Sequence, residues 1–152
     1  MALLEIAREQ KRDFYVIHFS SGERMEQLHT NEFPKNAPFD ISQMLDMAEF
    51  FTGGGTEFSP PLDWARWKIG AEKIWSKSDI IFCTDGESAV EQVWLDNFMV
   101  WKKENKVSIY SILIDSSANS AVVLNLFSDR VEKLSNMKDQ ADDIAINLFG
   151  DM

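Results

Sequence analysis

Three consecutive glycines, Gly53, Gly54 and Gly55, lead directly into Thr56, and further along the apolar run Ile80-Ile81-Phe82-Cys83-Thr84 ends in Asp85-Gly86-Glu87. A glycine-rich turn can cradle a phosphate, leave room for a metal, or simply reverse the chain. The phosphate-loop pattern of nucleoside triphosphatases requires a preceding strand and a following Gly-Lys-Ser/Thr; here a helical pattern precedes and no lysine adjoins. The dinucleotide fingerprint requires glycine at position 58, where Phe58 stands. A helix C-cap followed by a turn explains one or two of the glycines but not Thr56. The remaining chemistry is a hard-cation site. The Thr56 hydroxyl and the Asp85 carboxylate, at a side-chain-free turn and a strand end, are oxygen donors of the kind Mg²⁺ or Mn²⁺ takes while keeping several waters.

Other residues have the types for chemistry but not the company. Asp115, Ser117 and Asn119 follow an apolar run at Asp-x-Ser-x-Ser spacing, although Asp-Ser-Ser-Ala-Asn-Ser is also ordinary turn composition. His18 and His29 have no neighbouring third His or Cys to form a zinc site. Ser20 alternates onto the same side as His18, with no acid assigned to complete a triad. Cys83 is the single cysteine; it makes no internal disulfide and reads as a small buried hydrophobe. Asp85 before Gly86 is also where phosphatases of doubly wound folds place a nucleophile. Their Asp-x-Asp pattern would put a carboxylate at Cys83, so a Mg-dependent hydrolase or phosphotransferase is the alternative.

The elements that must position Thr56 and Asp85 alternate. A helix spans 2–12, a buried aromatic and β-branched strand 13–22, an edge strand 23–30 and a loop 31–40 with two prolines. Asp40 N-caps a helix from Ile41 whose apolar stripe is Ile41, Met44, Leu45 and Ala48. Ser59 caps the next helix, with Pro60 and Pro61 in its first turn and Leu62, Ala65 and Ile69 inward. Strand 78–88, helix 89–104 and strand 106–117 follow, then a strand at 121–127 and a helix at 137–149. This alternation predicts an α/β fold: a three-layer α-β-α sandwich around a Rossmann-like, mostly parallel sheet, whose site lies beyond the C-terminal strand ends.

With 152 residues, one domain is expected across 1–152. Twenty-five acidic against fifteen basic residues give a net charge of -10, and no basic run is longer than the pair Lys102-Lys103. Nucleic acid is therefore not an expected partner; a cation or a basic protein surface is. The lack of a membrane-spanning stretch or signal-peptide pattern leads to the expectation of a cytoplasmic protein that does not enter a membrane.

The pair Phe-Phe-Thr-Gly-Gly-Gly-Thr-Glu-Phe-Ser-Pro-Pro-Leu (50–62) and Ser-Asp-Ile-Ile-Phe-Cys-Thr-Asp-Gly-Glu-Ser (78–88), joined by a helix, resembles the von Willebrand factor A domain in its bacterial intracellular, CoxE-like branch. The resemblance covers most of the chain. It implies a metal-ion-dependent adhesion site, with Thr56 matching the second metal-binding loop and Asp85 the third. The first loop's Asp-x-Ser-x-Ser and its strand have no match, since the chain begins at Met1 within what would be the following helix. In the family's strand order, 3-2-1-4-5-6, that strand is central. The resemblance thus implies a non-enzymatic protein-binding or scaffold module with an incomplete, weak or absent metal site. It further implies a MoxR-type AAA+ ATPase as partner. The uncovered strand edges imply a homodimer or larger assembly. A truncated relic without activity is the further alternative.

Overall fold

The computed structural model describes residues 2–22, 24–25, 28–38, 40–51, 53–114 and 120–134. The expected terminal helix 137–149 and the loop holding Asp115, Ser117 and Asn119 lie outside them. The fold is α/β. In chain order its elements are α1 (Ala2–Glu9), β1 (Phe14–Ile17), β2 (Thr30–Phe33), α2 (Ile41–Glu49), α3 (Ser59–Ala71), a 3-10 turn (Lys73–Trp75), β3 (Ile80–Thr84), α4 (Gln92–Asn105), β4 (Ile109–Ile114), α5 (Ser120–Phe127) and β5 (Arg130–Leu134).

Two sheets form among the described residues. β3, β4 and β5 lie side by side and parallel, with Ile80 opposite Ile109 and Tyr110 opposite Arg130. β1 and β2 form a separate antiparallel pair, Phe14 opposite Phe33. Alternation along β4 sends its residues to two cores. Ile109 and Leu113 join Leu62 and Ile69 of α3, Phe98 of α4 and Leu124 of α5 on one face, whereas Ile112 and Leu134 meet Leu3 and Ile6 of α1 on the other. Helices thus cover both faces of the parallel sheet.

Four local expectations are corrected. Residues 121–127 form α5, not a strand. Leu124 and Phe127, three apart, are fully buried while Val122 and Leu126 are exposed, a helical period. Parallel β4 and β5 also need a crossover, which a helix supplies. The second strand is Thr30–Phe33, not 23–30, so the first residues of the expected loop are laddered to β1. The first strand is only Phe14–Ile17 and is half-buried throughout, because among the described residues β1 has a neighbouring strand on one edge alone. Finally, Phe58 and not Ser59 stands at the N-cap of α3. Had Ser59 been the cap, Pro61 would have offered no N–H to its hydroxyl; instead Leu62 N donates to Phe58 O at 3.4 Å.

Leu62, Ala65 and Ile69 are buried as expected, and the Asp40 carboxylate caps α2 by accepting from Ser42 N (2.9 Å) and Gln43 N (3.3 Å). α2 nevertheless buries no residue, and Ile41 and Leu45 of its apolar stripe stand 65% and 52% exposed.

Candidate functional site

β3 delivers Thr84, buried, to the edge of the parallel sheet. Its Oγ1 accepts from Gly86 N at 3.1 Å, closing a tight turn that leaves Asp85 exposed and swings Gly86 inward. Thr56 meets that turn: a Cβ built on Gly86 would overlap Thr56 Oγ1 outright and lie 3.1 Å from Thr56 Cβ. Thr56 and the Asp85-Gly86 turn are therefore brought together across the chain.

The glycine run reaches in the other direction as well. Gly55 N donates to Ser21 Oγ at 2.9 Å, and a Cβ on Gly55 would sit 3.0 Å from that oxygen. Gly54 has φ +130, a conformation that side chains disfavour. Ser20, just before, is buried. Glycine is thus needed here for close approach and for backbone angle. The turn forms a bridge from the loop after β1, at Ser21, to the loop after β3, at Gly86. In the sequence Ser20 reads only as a triad candidate, and Ser21, whose hydroxyl accepts from Gly55 N, carries no motif that marks it.

The donors assembled are one carboxylate, Asp85, and the Thr56 hydroxyl, with Glu57 and Glu87 exposed nearby in sequence. Ser21 Oγ already accepts a hydrogen bond. No group of three or more His, Cys, Asp or Glu is arranged to hold a metal among the described residues. A divalent cation prefers six or more oxygens, so these side chains by themselves do not fit a tight Mg²⁺ or Mn²⁺ site.

Cys83 departs from its expected burial. Its residue surface is exposed, and it lines a cavity between β1 and β3. Protein atoms crowding the thiol disfavour its charged form and push it up to about 11 from 9.0, so at neutral pH it is a protonated thiol and not a nucleophile.

A second polar cluster holds α2 to the β1–β2 pair. The Asp46 carboxylate bonds His29 Nε2 at 2.8 Å and accepts from Asn31 Nδ2 at 2.7 Å, while Asn31 Oδ1 meets His18 Nε2 at 3.0 Å. Phe50, at the C-cap of α2, stacks on His29 with ring centres 3.9 Å apart. The hydrogen bonds from Asn31 and His29 hold Asp46 below the usual carboxylate range. His18 is held below 6.5 chiefly by burial, with His29 adding to it and the Asn31 bond and Asp46 opposing. Both histidine rings are thus bonded within this cluster, their ring centres 5.3 Å apart.

No family model matches the chain. An uncharacterized protein of Methanocaldococcus jannaschii is 31% identical over 140 residues, which cover 92% of this chain and 30% of that protein. A second uncharacterized protein of the same organism is 29% identical over 146 residues, covering 90% of this chain and 35% of its own length. The chain thus spans about a third of the length of these curated relatives. No helix among the described residues is long and apolar enough to cross a membrane.

Proposed function

We propose that this chain is a non-enzymatic protein-binding module of the von Willebrand factor A type, working in the cytoplasm. The resemblance carries with it a MoxR-type AAA+ ATPase as partner. The observation that supports the module reading is the seating of Thr56 on Gly86, beside exposed Asp85, where the loops after β1 and β3 meet. The crowded thiol two residues before Asp85 takes the place of the second carboxylate a phosphotransferase would use there. Asp85 and Thr56 can touch a hydrated cation, but one carboxylate gives weak retention, in the range of about 10⁻⁴ to 10⁻³ M or poorer.

Two measurements on the purified chain test this. Calorimetric titration with Mg²⁺ and Mn²⁺ is expected to show only such weak binding or none; micromolar affinity lost in Asp85→Ala overturns the incomplete-site reading. A turnover screen with generic phosphoesters and Mg²⁺ is expected to be blank. Turnover abolished by the same substitution overturns the non-enzymatic reading.

A further inference from the structure

Between β1 and β3 lies a cavity of about 490 Å³. The strands are its long walls, Leu3 and Ile6 of α1 line one face, and Leu62 and Ile69 of α3 line the other. The two strands run in the same direction across it. At one end Arg12, ahead of β1, pairs with Asp79, ahead of β3, at 3.7 Å. Further along, Phe19 stacks on Phe82 with ring centres 5.1 Å apart, and beyond the strands Gly55 and Thr56 span from Ser21 to Gly86. Among the described residues β1 is laddered only to β2, and β3 only to β4. Two strand edges therefore face each other across an apolar slot, each with backbone N–H and C=O groups that no strand among the described residues pairs.

The slot itself states what would fill it. A strand between two others, covered by helices on both faces, is apolar on both sides, and a segment of about five residues, roughly 17 Å, matches the length of β3. Charge selects one end. Lys11, Arg12, Lys35 and Lys77 line the cavity where β1 and β3 begin, against Asp13 and Asp79, an excess of positive charge in a chain of net charge -10. Trp75 adds a donor: it lines the same cavity, and its Nε1 is the buried side-chain nitrogen left without a partner among the described residues.

We propose that this slot receives one extended strand from a separate polypeptide, apolar along its length and carrying carboxylates at the end beside Lys11 and Lys77. Backbone pairing to β1 and β3 supplies affinity, the apolar walls select the side chains, and the basic end sets the register. This inference rests on the protein-binding reading and names its class of partner.

The test uses the 152-residue chain and two fluorescent peptides, each a run of valine and isoleucine with an aspartate pair at its N-terminus in one and its C-terminus in the other. Because Cys83 is the only cysteine and lines the slot, its slow labelling by excess thiol reagent at about pH 9, where a small fraction is thiolate, reports occupancy. One of the peptides is expected to bind and to slow that labelling. Binding is expected to weaken about tenfold in the exposed-site variant Lys77→Glu, and as much when lysines replace the aspartates. A proline midway along the peptide is expected to abolish it, because one ladder N–H is lost. The proposal is overturned if neither peptide protects Cys83, or if the proline or Lys77→Glu changes nothing. It is overturned equally if sedimentation shows a dimer in which Cys83 is protected before peptide is added, since a second copy then fills the slot. Phosphoester turnover sinks the binding-module reading instead, whereas failure of the peptides without turnover sinks the slot alone.

Discussion

Gly86→Ala is a direct probe of the junction between the two loops. The added Cβ would overlap Thr56 Oγ1 and approach Thr56 Cβ to 3.1 Å and Cγ2 to 3.4 Å. Thr56 is β-branched, so rotating χ1 moves the hydroxyl away but leaves Cβ where it is. The turn must therefore shift, and overpacking of this kind costs about 1–3 kcal/mol. The partner substitutions divide that cost. Thr56→Ala removes the oxygen and the methyl but keeps the 3.1 Å approach, so it is expected to rescue most of the loss in the double variant. Thr56→Gly removes all three of these side-chain atoms and is expected to rescue the steric part fully, giving a coupling energy of about 1–2 kcal/mol in the cycle. Urea unfolding followed by tryptophan fluorescence reads all four corners. A cost for Gly86→Ala below about 0.5 kcal/mol, or equal costs in the presence and absence of the Thr56 side chain, would refute the packing of Thr56 on this turn.

Two further outcomes follow from the cores. Lys102 is buried, donating to Phe127 O at 2.9 Å and pairing with Asp129 at 2.8 Å; Lys102→Met keeps the stem but removes the donor to Phe127 O and leaves the Asp129 carboxylate with the Ile109 N–H it accepts at 2.8 Å. Since the Asp129 carboxylate is about half exposed and can rehydrate, the expected loss is about 2 kcal/mol, or roughly 4–8 °C in Tm by calorimetry. His18, its folded pKa below 6.5 chiefly through burial, stays neutral while the unfolded chain takes up a proton, so stability should fall as pH drops from 6.5 through the folded value. Urea midpoints measured down to about pH 5 should show that slope, and His18→Gln should reduce it.

Much of the fold was legible where local pattern and tertiary demand agreed. The triplet Leu62, Ala65 and Ile69 marked the buried face of α3, and Ile80 to Thr84 marked a strand ending at the site turn. The pattern misled where pairing partners decide the outcome. Ala121 to Phe127 is apolar enough for either state, and only the crossover between parallel β4 and β5 makes it a helix. β5 itself, Arg-Val-Glu-Lys-Leu, carries three charges, stands at the sheet edge among the described residues and lacked an apolar signal. Asn31 reads as loop, yet it is buried in β2 because His18 and Asp46 satisfy its amide. At the site, the glycines and Thr56 pointed to the Asp85 turn. Ser21 did not stand out, since a serine after a strand acquires its role from the distant backbone N–H it accepts.

Two sheets that share no ladder among the described residues are also two places where unfolding can begin. The large core draws mainly on residues from Phe58 onward, through α3, β3, α4, β4 and α5, whose parallel strands are joined by short sequential crossovers. β1 and β2 join it through Tyr15, Phe19, the hydrogen bond from Trp64 Nε1 to the Tyr15 hydroxyl and the Lys68–Glu32 ion pair, while α2 is held to them by polar bonds around Asp46. Native-state hydrogen exchange should therefore resolve two cooperative units, with amides of β1 and β2 opening at lower free energy than those of β4. A strand laddered into both edges would merge them, and the two exchange classes would converge on one.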